Sequence, residues 1–363
     1  MKIYITRIFL LILMAVFSSC DDMKDMPTLI NLPETPSERG RLYLLSEGLF
    51  NMNNSTMGLI DFEKKTIQFD YFTTINGRGL GDTANDLKIY SNKLWVVVTV
   101  SSQVEVIDLN TGITIRRIEF FDQNKKARQP RFITFYENKA YVCSFDGTVT
   151  RIDITTLAID GVVQCGRNPD GITVANGKLY VSNSGGLDNP NYDNTVSVID
   201  LTTFTELKKI TVGLNPFKLE TDSQGDVYVV SRGNNADIKA SWSRINSVTD
   251  EVTQTFENLA AINFCIQNDT AYLYNFDFVK NSYWVKTFDC KTEGLISDNF
   301  ITDDTKIERP FGIYAHPTNG NVYLTDARSY TVKGDLLCFN RKGKLRYKIQ
   351  NVGLNPNAIV IVP

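Results

Sequence analysis

One histidine, His316, occurs in 363 residues, and that scarcity removes most familiar catalytic arrangements before any fold is considered. Its context, Ala315-His316-Pro317-Thr318-Asn319-Gly320, reads as a turn, and the chain holds no G-x-S-x-G elbow, Cys/His pair or H-E-x-x-H motif. Helical periodicity is nearly absent. Past residue 19 no apolar run is long enough to cross a bilayer, and no basic tract points to nucleic acid. Cys143, Cys165, Cys265, Cys290 and Cys338 follow no C-x-x-C or zinc spacing and fall in predicted strands, so buried free thiols are expected.

What is present begins at the N-terminus. Lys2 and Arg7 precede the apolar run Ile8 to Phe17 and two small residues before Cys20. Ten apolar residues cannot span a bilayer core that needs about 20, so residues 1–19 read as a signal peptide. Phe17-Ser18-Ser19-Cys20 resembles the bacterial lipobox, which implies lipid on Cys20 and membrane attachment through that lipid alone. Residues 20–39, with Asp21, Asp22, Asp25, Pro27, Pro33 and Pro36, are expected to form a flexible linker. The acidic residues after the cysteine resemble the export signal that sends some Gram-negative lipoproteins to the outer face of the outer membrane. Removing residues 1–19 takes away two of the 38 basic residues and none of the 41 acidic ones, leaving a net charge of −5.

Residues 40–363 carry a repeat. Short β-rich runs each place an aromatic at position 43, 95, 141, 180, 228, 272 or 323, a mean period of about 47 residues. Each unit shows four strand signals, clearest at 170–174, 178–182, 195–201 and 206–212, here termed A to D. Strand C ends in Asp at 108, 153 and 200, where a side chain bonding its own backbone starts a tight turn. Pro130, Pro169, Pro216, Pro310 and Pro356 open strand A. The first unit begins at strand B, and the last strand A, near Asn355 to Val360, has no strand B after it. The expected fold is therefore all-β: a seven-bladed β-propeller of four-stranded antiparallel blades, closed by the C-terminal strand completing the first blade.

Tyr180-Val181-Ser182-Asn183 is similar to the tetrapeptide of YVTN-type propellers. Ser46-Glu47-Gly48 with Asn53-Asn54-Ser55, and Leu80-Gly81-Asp82-Thr83-Ala84-Asn85-Asp86, resemble the opening blades of surface lipoproteins found beside outer-membrane transporters, within them the BtuG cobalamin-binding lipoproteins. That resemblance implies capture of cobalamin or another corrinoid as a transported ligand, with no cofactor of its own. It also implies transfer to a TonB-dependent transporter of the BtuB type.

In such a meander the A–B and C–D turns share one face, and here they are short. The B–C and D–A connections share the other and are long: 47–56, 183–194, 232–240, 275–282 and 326–333 between B and C, and 76–86, 123–129 and 302–309 between D and A. Insertions gathered on one face mark a binding face. The candidates there are Phe50, Asn53, Asn183, Tyr192, Trp242, Phe276, Phe278, Tyr283 and Tyr330, with Arg78, Arg232, Arg309 and Arg328. Aromatic planes with neutral donors and acceptors suit a large polar ligand such as a corrinoid. A glycan uses the same groups. Trp242 reads equally well as a residue packed between blades, and half of the asparagines as turn formers. A receptor for a glycan, siderophore or haem, or an interaction propeller, stays open. So does a calcium-dependent lactonase-like enzyme with Glu47, Asp82, Asp170 and Asp326 near the channel mouth. A binding protein rather than an enzyme is the expected class.

Overall fold

The computed structural model describes residues 27–30, 39–234 and 236–362. The signal peptide, Cys20 and Asn235 lie outside these.

Seven four-stranded antiparallel sheets follow one another along the chain. Blade 1 takes its innermost strand from the C-terminus: Pro356–Val362 pairs with Arg41–Ser46, followed outward by Thr56–Asp61 and Thr66–Gln68. Blades 2 to 7 begin at Ala84, Pro130, Pro169, Pro216, Asn263 and Pro310. Their innermost strands contact one another in sequence, and those beginning at Pro310 and Ala84 both meet Pro356–Val362, which closes the ring.

The core lies between blades. Seven clusters of buried apolar side chains fill the seven interfaces, each drawing on two adjacent blades. The recurring strand-B aromatic sits in these interfaces for a specific reason. Tyr43 donates its hydroxyl to the carbonyl of Leu109 (3.3 Å), Tyr180 to Ser247 (3.2 Å) and Tyr228 to Cys290 (3.1 Å). In each case the acceptor is the residue following strand C of the next blade. A buried ring with a satisfied hydroxyl thus ties neighbouring blades together. Asp108, Asp153 and Asp200 end strand C and accept backbone N–H groups from their own turns. These bonds pull the Asp108 and Asp200 carboxyls below the usual range.

Three details depart from the sequence reading. Within the span 20–39, Thr28–Leu29 adds a fifth, outermost strand to blade 1 by pairing with Thr66 and Ile67. Ile30 donates its backbone N–H to Lys65 and packs against the cluster between blades 1 and 7. Before blade 2, residues Tyr71–Asn76 form a short helix capped by Asp70 and ended by Gly77 at φ +66°. It buries Tyr71 and Phe72 against blades 1 and 2. In blade 6, strands Thr270–Asp277 and Ser282–Asp289 extend the hairpin into what was expected as loop 275–282.

Candidate functional site

The channel mouth is built by a backbone irregularity repeated around the ring. In six blades the pairing of strands A and B slips near the start of strand A. The slip leaves Asn357, Asn85, Arg131, Asp170, Phe217 and Phe311 outside the regular register. A bulge of this kind re-aims a side chain. Asn357, Asn85, Arg131, Phe217 and Phe311 line a cavity of about 510 Å3 along the axis. A second cavity of about 240 Å3 opens toward the short-turn face and shares Asp86, Lys88, Phe132, Lys218, Glu220, Cys265 and Tyr314 with the first. The ring is tight: a Cβ on Gly171 would stand 2.2 Å from the Phe217 carbonyl oxygen, and one on Gly312 2.5 Å from that of Asn357.

These side chains bind one another across blades. Asn357 donates through Nδ2 to the carbonyls of Ala84 (3.1 Å) and Asn85 (2.9 Å), and Asn85 donates to the Arg131 carbonyl (2.7 Å). Arg131 Nε meets Asp170 Oδ1 at 2.7 Å. Glu47 lies in this mouth, accepting from Asn357 Nδ2 at 3.2 Å. Burial pushes its carboxyl up to about 7, against the opposing pull of Arg131 and Arg232. Tyr274 donates its hydroxyl to the Phe311 carbonyl, and burial raises its pKa.

Of the sequence candidates, Arg232, Phe278 and Tyr330 line the axial cavity. Phe276 is buried beside it, its ring 4.9 Å from that of Phe278 and 4.4 Å from the Arg309 guanidinium carbon. Arg309 also donates to Asn281 Oδ1 (2.5 Å). Phe50 stands 70% exposed on the blade 1 loop, and Tyr192 is half-buried on the blade 4 loop.

The remaining candidates do other work. Trp242 is fully buried, stacked on Tyr228 at 4.7 Å between blades 5 and 6. Asn183 is fully buried and bonds Gly166 N, Thr195 Oγ1 and Ser197 Oγ. Asn53 is a turn residue at φ +51° whose backbone N–H is held by Asp82 (2.9 Å). The Tyr283 hydroxyl lies between Thr305 O and Ile307 N. Arg78 grips buried Glu105 with Nη1 and Nη2, and Arg328 grips buried Asp335 with Nε and Nη2. In each of these but Trp242, which is held by ring packing, the local hydrogen bonds are spent on the fold. Asp82 and Asp326 likewise accept backbone N–H groups of their surrounding loops. Among the described residues no three His, Cys, Asp or Glu side chains converge as a metal site. No described helix is long and apolar enough to cross a membrane.

The family model described as a domain of unknown function, DUF5074, matches residues 40–355, nearly the whole propeller. The chain belongs to the DUF5074 family. Among curated protein sequences none matches it. Solved structures similar to this DUF5074 chain share its fold at low identity. A quinonprotein alcohol dehydrogenase-like protein from Bacteroides thetaiotaomicron is 16% identical, with a TM-score of 0.65 over 89% of this chain and 78% of that one. The dihydro-heme d1 dehydrogenase NirN is 10% identical, with a TM-score of 0.59 over 92% and 78%. Kuenenia stuttgartiensis hydrazine synthase is 15% identical, with a TM-score of 0.54 over 68% and 73%. At such identities the likeness concerns the propeller alone.

Phe217, Phe311 and Asn357 line the channel without having been singled out in the sequence, and they share a positional signal with Arg131 and with Asp170 beside it. Arg131, Asp170, Phe217, Phe311 and Asn357 each directly follow the proline that opens strand A. The proline removes a ladder donor at the strand start, where a bulge is tolerated, and the next side chain is freed to turn inward.

Proposed function

We propose that this DUF5074 protein is a cell-surface receptor, tethered by lipid on Cys20, that captures a corrinoid on its long-loop face. It then passes the ligand to a TonB-dependent outer-membrane transporter of the BtuB type. Within this reading the protein binds and releases its ligand without chemical change.

The observation that supports it most directly is the distribution of exposed apolar side chains. The B–C loops of blades 1, 4, 5, 6 and 7 present Phe50 and Met52, Leu187, Ile238, Phe278 and Val279, and Val332, all at least 44% exposed. The turns of the opposite face carry Ile113 and Val248. Apolar surface gathered around a channel mouth and edged by amides marks a binding face. A planar macrocycle edged with amides matches it in polarity, and the half-buried Arg309 is available to a phosphate. The strand at Thr28–Leu29 leaves the lipid attached through a tether of eight residues, with a reach of about 28 Å at full extension.

Calorimetric titration of the purified protein with cyanocobalamin tests this reading. Saturable binding that weakens on Phe278→Ala supports it, and no binding at tens of micromolar removes the corrinoid. A glycan titration then separates a receptor for another ligand.

A further inference from the structure

One cation of the upper channel, Arg232, has terminal nitrogens that meet no protein acceptor among the described residues, and this points to a second ligand class. Arg131 is committed to Asp170 at 2.7 Å. Lys218, lower in the channel, is committed to Glu220 (2.8 Å) and to the Phe264 carbonyl (2.6 Å). Arg232 differs. Its guanidinium carbon lies 3.3 Å from the Phe217 ring centroid, and Nε donates to the Ile262 carbonyl at 3.3 Å. Neither terminal nitrogen meets a protein acceptor among the described residues. Burial pulls the Arg232 pKa down, yet an arginine stays charged. A half-buried cation with two unused donor nitrogens is suited to an anion.

Tyr330 faces the same space. Its backbone sits at φ +65°, a conformation that side-chain-bearing residues rarely adopt. Its ring packs edge-on against Phe311 at 5.9 Å, and its hydroxyl has no protein partner among the described residues. A strained backbone that presents a free hydroxyl to the same cavity as a free guanidinium is a feature expected of a site. The surrounding surface is aromatic, from Phe217 beneath Arg232 to Phe311 and Phe278. At about 510 Å3 the cavity falls in the range of small-molecule sites.

We propose that the upper channel binds a small aromatic carboxylate, its carboxylate held by the Arg232 guanidinium and the Tyr330 hydroxyl and its ring by Phe217 and Phe311. A dianionic phosphate would need a second free cation beside Arg232; there Arg131 is already paired with Asp170, and Lys88 lies lower, where the two cavities meet. The site goes beyond the corrinoid reading, which concerns the outer face, and stands whether or not a corrinoid binds there.

Glu47 makes the binding depend on pH. The groups facing it are Arg131 from blade 3, Asp170 from blade 4, Arg232 from blade 5, Tyr274 from blade 6 and Asn357 from blade 1. A carboxylate arriving at Arg232 takes up the positive charge that helps Glu47 ionise, so Glu47 gains a proton on binding. Affinity therefore falls as pH rises through the titration of Glu47.

The test is calorimetry on the full processed chain in detergent, using benzoate, neutral benzamide and inorganic phosphate as probes. Benzoate is expected to bind about tenfold or more tighter than either of the others. It should bind more weakly at about pH 8 than at about pH 6, and Arg232→Gln should lose about tenfold or more in affinity. Absent benzoate binding, equal binding of benzamide, tighter binding of phosphate, or an unaltered Arg232→Gln would each overturn the proposal. Should Arg232→Gln fail to fold, Glu47→Gln decides. It is expected to bind benzoate with an affinity independent of pH, and a retained pH dependence would contradict the assignment.

Discussion

Asn357 donates its side-chain amide to Glu47 across 310 residues of sequence, joining the last strand to the first long loop at the channel mouth. The same nitrogen reaches the carbonyls of Ala84 and Asn85 in blade 2. One amide therefore locks the closing strand to both of its neighbours. Asn357→Leu would leave these acceptors without a donor and is expected to cost about 1–3 kcal/mol of stability, read by denaturant unfolding. Truncation before Asn355 removes the innermost strand of blade 1 outright and should abolish the single cooperative transition. A truncated chain as stable as the whole would contradict this account of closure.

The raised pKa of Glu47 also carries a stability consequence. The folded protein holds this proton up to about pH 7, whereas the unfolded chain releases it near 4.5. The stabilising contribution is thus fully present below 4.5 and is lost as pH rises through about 7. Chemical denaturation across that window should show wild-type stability falling by on the order of 1–3 kcal/mol relative to Glu47→Gln. A constant difference between the two proteins would show that Glu47 titrates normally.

Arg328 grips Asp335, which is wholly buried and also paired with Lys348 at 2.7 Å. Arg328→Ala should destabilise the protein by about 1–3 kcal/mol while leaving ligand affinity unchanged. Thermal unfolding and titration on the same preparation check both halves. A loss of affinity without a loss of stability would return Arg328 to the binding face.

The repeat made the architecture legible, because an aromatic every 47 residues or so marks strand B of each blade, and at Tyr43, Tyr180 and Tyr228 its hydroxyl reaches the next blade. Closure was legible from the unpaired strand signal after Asn355. The site was harder. Arg232, Phe278 and Tyr330 were found because they stand in long loops, but Trp242 and Asn183 share the same composition and are buried in the fold. Composition does not distinguish an aromatic beneath a loop from one upon it. Phe217, Phe311 and Asn357 escaped because a bulge, rather than strand alternation, turns them into the channel. The strand at Thr28–Leu29 escaped because two residues carry no periodicity, and only the free outer edge of blade 1 makes them a strand.

The proposed membrane attachment rests on the lipobox-like Phe17-Ser18-Ser19-Cys20. Cys20→Ser should abolish fatty-acid labelling and leave the protein unprocessed or soluble, measured by labelling and cell fractionation. Unchanged membrane association in that variant would contradict a lipid anchor.

The most direct test of the receptor reading is titration of the purified protein with cyanocobalamin, followed by calorimetry and visible absorbance, on wild type and three variants. Saturable binding is expected, with Phe50→Ala and Phe278→Ala each costing about 1–3 kcal/mol. The third variant, His316→Ala, should not alter affinity. His316 lies in a turn of the opposite face, where Nδ1 accepts the backbone N–H of Thr318. Absence of binding at tens of micromolar would contradict corrinoid capture, and a loss confined to His316→Ala would place the binding surface on the other side of the disc.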